Sequence, residues 1–127
     1  MRDCIIIIPT YNEKENIGNI IPYTLNLSDR FEILIIEDGS PDGTAAIVKS
    51  LMSQFPNRIH IIERTGKLGL GTAYITGFKW ALEKGYSYIF EMDADFSHPP
   101  EKLLELLDAC ENKGAYLSVG SRYIKGG

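Results

Sequence analysis

The chain has little of what marks several large classes of protein. Its apolar runs are short, with the four isoleucines Ile5 to Ile8 among the longest, far below the ~20 residues of a membrane helix and too short for a secretory h-region. The expectation is a chain that does not cross a membrane, is not exported by its own N-terminus and works in the cytoplasm. There are only two cysteines. Cys4 lies beside the isoleucine run and Cys110 on an apolar helix face, so both are expected as buried, reduced thiols rather than a disulfide framework. Of two histidines, neither His60 nor His98 has a Cys or His at zinc spacing, which argues against a structural zinc. Positive charge is also scarce: 13 Lys and Arg against 17 Asp and Glu give a net charge of −4 and a pI near 5.1. No basic cluster interleaves with aromatics, so no nucleic-acid partner is expected.

What is present fits one globular domain over residues 1–127, with 44% hydrophobic and 24% charged residues and no repeat or linker. Strands are expected at Cys4–Ile8, Phe31–Ile36, Ile59–Ile62, Tyr88–Met92 and Tyr116–Val119, all short and isoleucine-rich as in sheets covered on both faces. Amphipathic helical patterns lie between them. Ile17, Ile20 and Ile21 mark the first, where Pro22 should kink or end the regular hydrogen bonding. Ile47, Val48, Leu51, Met52 and Phe55 mark the second, and Tyr74, Phe78, Ala81 and Leu82 the third. Leu103, Leu104, Leu106, Leu107 and Cys110 mark the fourth. Asp42-Gly43-Thr44 and Ser97-His98-Pro99-Pro100 read as helix starts. The alternation implies an α/β domain with a mostly parallel sheet flanked by helices.

Ligands of open α/β sheets bind beyond the carboxyl ends of the strands, and every such position here carries polar, charged or glycine chemistry. The strands lead into Pro9-Thr10-Tyr11-Asn12-Glu13, Glu37-Asp38-Gly39-Ser40-Pro41-Asp42-Gly43-Thr44, Arg64-Thr65-Gly66-Lys67-Leu68-Gly69-Leu70-Gly71, Asp93-Ala94-Asp95 and Gly120-Ser121-Arg122-Tyr123. Asp93 and Asp95 form the most informative pair. Two carboxylates at i and i+2 repel unless a cation, or a ligand bringing one, lies between them. Their hard oxygens suit Mg²⁺ or Mn²⁺ shared with phosphates; the plainer alternative is a solvated acidic turn.

Three other motifs fail on particular residues. Tyr74 stands at the third glycine of a dinucleotide fingerprint begun by Gly69 and Gly71. Lys49 stands where an EF-hand begun at Asp38 needs its bidentate Glu. A receiver-like phosphorylation domain would need an acidic pair after the first strand, which instead reads Pro9-Thr10-Tyr11.

Taken together, Pro-Thr-Tyr-Asn-Glu, Glu-Asp-Gly-Ser-Pro-Asp-Gly-Thr and Asp-Ala-Asp-Phe-Ser-His-Pro-Pro-Glu resemble the family-two glycosyltransferases, from about Ile5 to Gly127. The Ser40–Thr44 extension, Lys67-Leu68-Gly69-Leu70-Gly71-Thr72-Ala73 and Gly120-Ser121-Arg122-Tyr123 resemble its polyprenol-phosphate (dolichol-phosphate) mannosyltransferase branch. The resemblance implies the GT-A nucleotide-diphospho-sugar transferase fold. It also implies transfer of mannose from GDP-mannose to dolichyl or polyprenyl phosphate, metal-dependent and inverting, at the cytoplasmic face of a membrane. Carried over by motif, Pro9, Tyr11 and Glu13 line the nucleotide pocket and Ile36 and Asp38 meet base and ribose. Asp93, Ala94 and Asp95 hold the ribose–diphosphate end, with Asp95 ligating Mg²⁺ or Mn²⁺ and Arg122 and Lys67 meeting phosphate. Relatives often carry Gln where this chain has Ser97, which is taken as a second ligand to the metal. Asp95 and Arg122 are the expected catalytic residues, while Glu13 and Asp42 are read as pocket or capping groups rather than bases. Because the family's domain continues past the arginine motif, the chain is expected to be a donor-binding part truncated at its C-terminus. A UDP-sugar enzyme and a non-catalytic nucleotide-sugar module are the alternatives.

Overall fold

Unbroken apolar strands bury both faces only if helices cover both, and the chain folds that way. The computed structural model describes residues 3–65, 68–113, 117–119 and 123–124. In chain order these form β1 (Cys4–Thr10), α1 (Lys14–Leu25), β2 (Phe31–Glu37), α2 (Thr44–Gln54), β3 (Ile59–Glu63), α3 (Leu70–Lys84), β4 (Tyr88–Glu91), α4 (Lys102–Lys113), β5 (Leu117–Val119) and β6 (Tyr123–Ile124). The sheet order is β3-β2-β1-β4-β5-β6. β3, β2, β1, β4 and β5 pair in parallel, and β6 is antiparallel to β5.

Strand periodicity divides the isoleucines between two cores. Cys4, Ile6 and Ile8 pack with Ile17, Ile20 and Ile21 of α1, Val48 and Leu51 of α2, and Leu103 and Leu107 of α4. Ile5 and Ile7 point to the opposite face, against Ala73 and Ala81 of α3. Cys4 is fully buried, and burial pushes its thiol up to about 12. Cys110 is only half-buried, in contrast to its expected burial. Among the described residues no helix is long and apolar enough to cross a membrane.

Several sequence expectations are corrected in physical detail. Pro22 sits inside α1 without ending it. Buried Ile21 before it and Thr24 and Leu25 after it keep the last turn packed, at the loss of a single helix hydrogen bond. The fully buried face of α3 is Ala73, Gly77 and Ala81, with Tyr74 and Phe78 partly buried against the same core; Leu82 is exposed, as is Leu104 on α4. The fourth helix begins at Lys102, beyond the expected start, after i→i+3 bonds from Lys102 to Pro99 and Leu103 to Pro100. Tyr116, expected in the fifth strand, lies outside the described residues.

β1 also runs two residues past its expected end, through Pro9 to Thr10. Along a parallel strand successive residues direct their backbone groups to opposite neighbours. Ile7 turns to β4, accepting from Met92 N, and Thr10 turns to β2, accepting from Asp38 N. Pro9, in step with Ile7, therefore faces the β4 side, where the ladder has already ended at Ile7–Glu91. Its missing N–H breaks no sheet bond, and β1 and β4 separate there.

A Cβ on Gly77 would lie 2.7 Å from Cγ2 and 3.1 Å from Cδ1 of buried Ile7. Gly77→Ala should lower the thermal midpoint, because an overpacking cost of about 1–3 kcal/mol exceeds the helix gain of about 1 kcal/mol. Gly71→Ala, with nothing within 4 Å of the added methyl, should leave the midpoint unchanged or raise it. Calorimetry of the two variants checks the contrast.

Candidate functional site

The separation of β1 from β4 opens a cleft at the carboxyl edge of the sheet, where the crossover order reverses. It has a volume of about 290 Å³ and is lined by Pro9, Thr10, Tyr11, Glu13, Asp38, Gly69, Leu70, Asp93, Ala94 and Asp95. Seven residues expected at the site thus meet around one opening: Pro9, Tyr11, Glu13, Asp38, Asp93, Ala94 and Asp95. Ile36 does not join them. It is fully buried in the α3-side core, because it lies inside β2, whereas Asp38 lies past the strand's end at Glu37 and reaches the rim. Lys67 and Arg122 lie outside the described residues.

The loops that carry these groups are fastened to one another by side chains. Asn12, at φ 55°, donates its N–H to Ser40 Oγ at 2.9 Å, and Glu13 N donates to Thr44 Oγ1 at 3.1 Å. Asp42 Oδ2 accepts from Lys14 N at 3.2 Å, at the start of α1. Its Oδ1 accepts from Thr44 N at 3.0 Å and Thr44 Oγ1 at 2.6 Å, at the start of α2. One carboxylate thus accepts the first backbone N–H of two helices, where their dipoles favour a negative charge. The Thr44 hydroxyl foremost, joined by the Lys14 and Thr44 amides, holds it below the usual carboxylate range against desolvation, which makes it a poor base. Gly43 permits this turn through φ 94°.

Glu37 performs a similar task in the interior. Almost fully buried, it accepts from Thr10 Oγ1 at 3.1 Å, from Ser40 N at 2.7 Å and from the Ser40 hydroxyl. Beside it, Asp38 is gripped by Arg64, with Nε to Oδ1 at 2.6 Å and Nη2 to Oδ2 at 2.8 Å. Sequence reasoning quoted Glu37 and Arg64 only as parts of motifs and gave neither a role. A buried acid needs a partner, and Arg64, just past the end of β3, was the available signal.

The Asp93–Asp95 turn is arranged differently. Asp93 Oδ1 accepts from Tyr74 OH at 3.2 Å, and Asp95 Oδ1 accepts from Ser97 N at 3.0 Å and from the Ser97 hydroxyl. That hydroxyl, then the Ser97 amide, keep the Asp95 carboxyl below its usual range, against desolvation. Ser97 therefore lies against Asp95 without itself lining the cleft. Glu13 moves the other way. Burial pushes its carboxyl up, helped by the negative charges of Asp95, Asp42 and Asp93 and opposed by a hydrogen bond from Asn16.

The cleft thus has two electrical characters. At the β2–β3 side Asp38 is neutralised by Arg64; at the β1–β4 side Glu13, Asp93 and Asp95 crowd together, and no basic side chain is among the described residues of the lining. Among the described residues no three acidic, His or Cys groups form a ready-made metal cluster. The donor set fits a hard divalent cation held by one or two carboxylates and completed by ligand oxygens.

Fold and cleft define an α/β domain of the kind that takes its ligand where the strand order reverses. The chain belongs to Glycosyl transferase family 2, which matches residues 5–127. It is 50% identical over 123 residues to polyprenol monophosphomannose synthase of Mycolicibacterium smegmatis, covering 97% of this chain and 46% of that protein. It is 44% identical over 121 residues to undecaprenyl-phosphate mannosyltransferase of Micrococcus luteus, covering 95% and 49%. To dolichol-phosphate mannosyltransferase of Pyrococcus furiosus it is 40% identical over 124 residues, covering 96% and 34%. The chain therefore spans half or less of the length of these relatives. Among solved structures it resembles mannosyltransferase PcManGT from Pyrobaculum calidifontis in complex with GDP-Man and Mn²⁺. The TM-score is 0.69 at 23% identity, over 89% of this chain and 33% of that one. The expected GT-A fold is met.

The raised Glu13 carboxyl gives a signed prediction. An acid whose carboxyl is raised by folding contributes stability below its unfolded value near 4.5 and loses it as pH rises through the folded value. Glu13→Gln keeps an oxygen for Asn16 Nδ2 and removes the charge. It should raise the melting temperature at pH 7 in EDTA and leave it nearly unchanged at pH 4. Melting curves at the two pH values check this.

Proposed function

We propose that this chain is the donor-binding part of a metal-dependent, inverting mannosyltransferase that moves mannose from GDP-mannose to a dolichyl or polyprenyl phosphate. One observation carries the reading: three carboxylates, Glu13, Asp93 and Asp95, crowd a cleft whose described lining holds no cation. The acidic end of such a site disfavours the diphosphate of an unaccompanied nucleotide and accepts one that arrives with a divalent ion. The reading is supported by family membership and by the mannosyltransferase relatives and their polyprenyl-phosphate names.

In this reading Asp38, fixed by Arg64, faces the nucleoside as a hydrogen-bond acceptor, and Pro9 and Tyr11 wall the same end. Asp93 and Ala94 bound the ribose–diphosphate end. Asp95, with Ser97 against it, would hold Mg²⁺ or Mn²⁺, which would supply Lewis-acid neutralisation of the charge growing on the leaving diphosphate. Lys67 and Arg122 are proposed for phosphate oxygens, where the arginine fork suits the geometry.

No general base is assigned. A phosphate-monoester acceptor has a second pKa of about 6 and is largely dianionic at pH 7, so it attacks the anomeric carbon without first losing a proton. Asp42, committed to two helix starts, and Glu13, raised and facing the other acids, remain pocket groups. In-line attack opposite the leaving diphosphate inverts the anomeric centre. Because the acceptor is a lipid, the protein is proposed to work at the cytoplasmic face of a membrane.

GDP with Mn²⁺ should raise the melting temperature by several degrees, and UDP with Mn²⁺ by clearly less. At a hundredfold excess over Kd the stabilisation is about 2.7 kcal/mol. Asp95→Asn should melt slightly lower than the parent without ligand, since Ser97 favours the charged carboxylate, and lose most of the Mn²⁺-dependent shift. Equal shifts from GDP and UDP contradict the mannosyl assignment, and an undiminished shift in Asp95→Asn contradicts the metal assignment.

A further inference from the structure

Arg64 touches more of the cleft's framework than its pairing with Asp38 requires. Its side chain is 10% exposed, and that of Asp38 7%. Besides its two bonds to Asp38, Nη1 donates to Thr72 Oγ1 at 3.1 Å and Nη2 to the carbonyl of Gly69 at 3.3 Å. Thr72 Oγ1 in turn lies 2.9 Å from the Gly69 carbonyl and 3.0 Å from that of Leu68. The Arg64 backbone N–H is bonded to Glu37 O at 2.7 Å. One guanidinium thus links the end of β2 to the first turn of α3, and both attachment points carry cleft residues: Asp38 on one side, Gly69 and Leu70 on the other. Gly69 has φ 103°, a conformation open to glycine and strained for other residues.

We propose that Arg64 is a positioning residue that sets the width of the nucleoside end of the cleft and keeps Asp38 a fixed, charged acceptor. It acts through Asp38 and the Gly69–Leu70 wall. The inference rests on the donor-binding reading above and adds to it a division of labour. The nucleoside end, whose charge Arg64 has already neutralised, contributes affinity with or without the cation. The Glu13–Asp93–Asp95 end contributes only with it.

That division gives a readout that general loosening of the fold would not produce. GDP affinity is measured by calorimetry on the whole chain, in EDTA and in Mn²⁺, and the ratio of the two Kd values reports the cation-dependent end alone. Arg64→Ala should weaken GDP by about tenfold or more in both conditions, as expected for loss of a charge-assisted bidentate pair, and leave the ratio as in the parent. Arg64→Lys keeps the charge but not the fork. It should fall between the two, and it carries the test alone if Arg64→Ala does not fold. Asp95→Asn should do the reverse, changing the ratio while leaving the EDTA affinity no weaker. Parent-like affinity in Arg64→Lys and Arg64→Ala overturns the inference, as does collapse of the ratio in either Arg64 variant. A parent chain that binds neither GDP nor UDP overturns the donor-binding reading itself, a result separable from either of those.

Discussion

Everything at the cleft depends on the parallel pairing of β1 with β2 on one side and β4 on the other. That pairing brings the ends of three strands to one edge of the sheet. The register that joins Thr10 to Glu37 places the Thr10 hydroxyl on the Glu37 carboxylate, so β1 and β2 stay together to the rim. The shorter register with β4 stops at Ile7 and Glu91, so β1 and β4 part just before their acidic loops begin. Pro9 makes the parting free of cost, since its absent N–H falls on the side where no partner remains. The opening is therefore a consequence of where two ladders end.

Around that opening charge is handled in two ways. The acids of the frame are satisfied within the protein: buried Glu37 by Thr10 and Ser40, buried Asp38 by Arg64, and half-buried Asp42 by two helix starts. These groups build and stiffen the site. Glu13, Asp93 and Asp95 receive hydrogen bonds from Asn16, Tyr74 and Ser97 but no counter-charge from the described residues of the lining. At Asp95 the Ser97 bonds favour the charged form, whereas at Glu13 burial and the charges of Asp95, Asp42 and Asp93 disfavour it. In the proposed reading, that surplus of negative charge is met by a ligand carrying a cation.

Much of this was legible in the residues alone, and the reasons are local. Isoleucine runs bounded by polar loops announce buried parallel strands, and the position of Asp93 and Asp95 after one of them announces the rim. What sequence reading missed are matters of tertiary contact. It took Leu82 and Leu104 for core because helical periodicity identifies a face without fixing its width, whereas α3 is held close to the sheet by Ala73, Gly77 and Ala81. It placed Ile36 in the pocket beside Asp38, although Ile36 is covered by α3 within the strand and only Asp38, beyond its end, reaches the rim. It gave Arg64 no role because the partner that defines it, Asp38, is 26 residues away and meets it only once β2 and β3 pair.

The central claim is that the acidic end of this cleft binds a nucleoside diphosphate through a divalent cation at Asp95. The most direct measurement is an anomalous-difference map from crystals of the chain grown with GDP and Mn²⁺, collected near the manganese edge. The account predicts one strong peak in contact with the Asp95 carboxylate and with diphosphate oxygens, and the nucleoside between Asp38 and Gly69. A manganese peak away from Asp95, or GDP bound in the cleft with no metal between it and the carboxylates, would contradict the account.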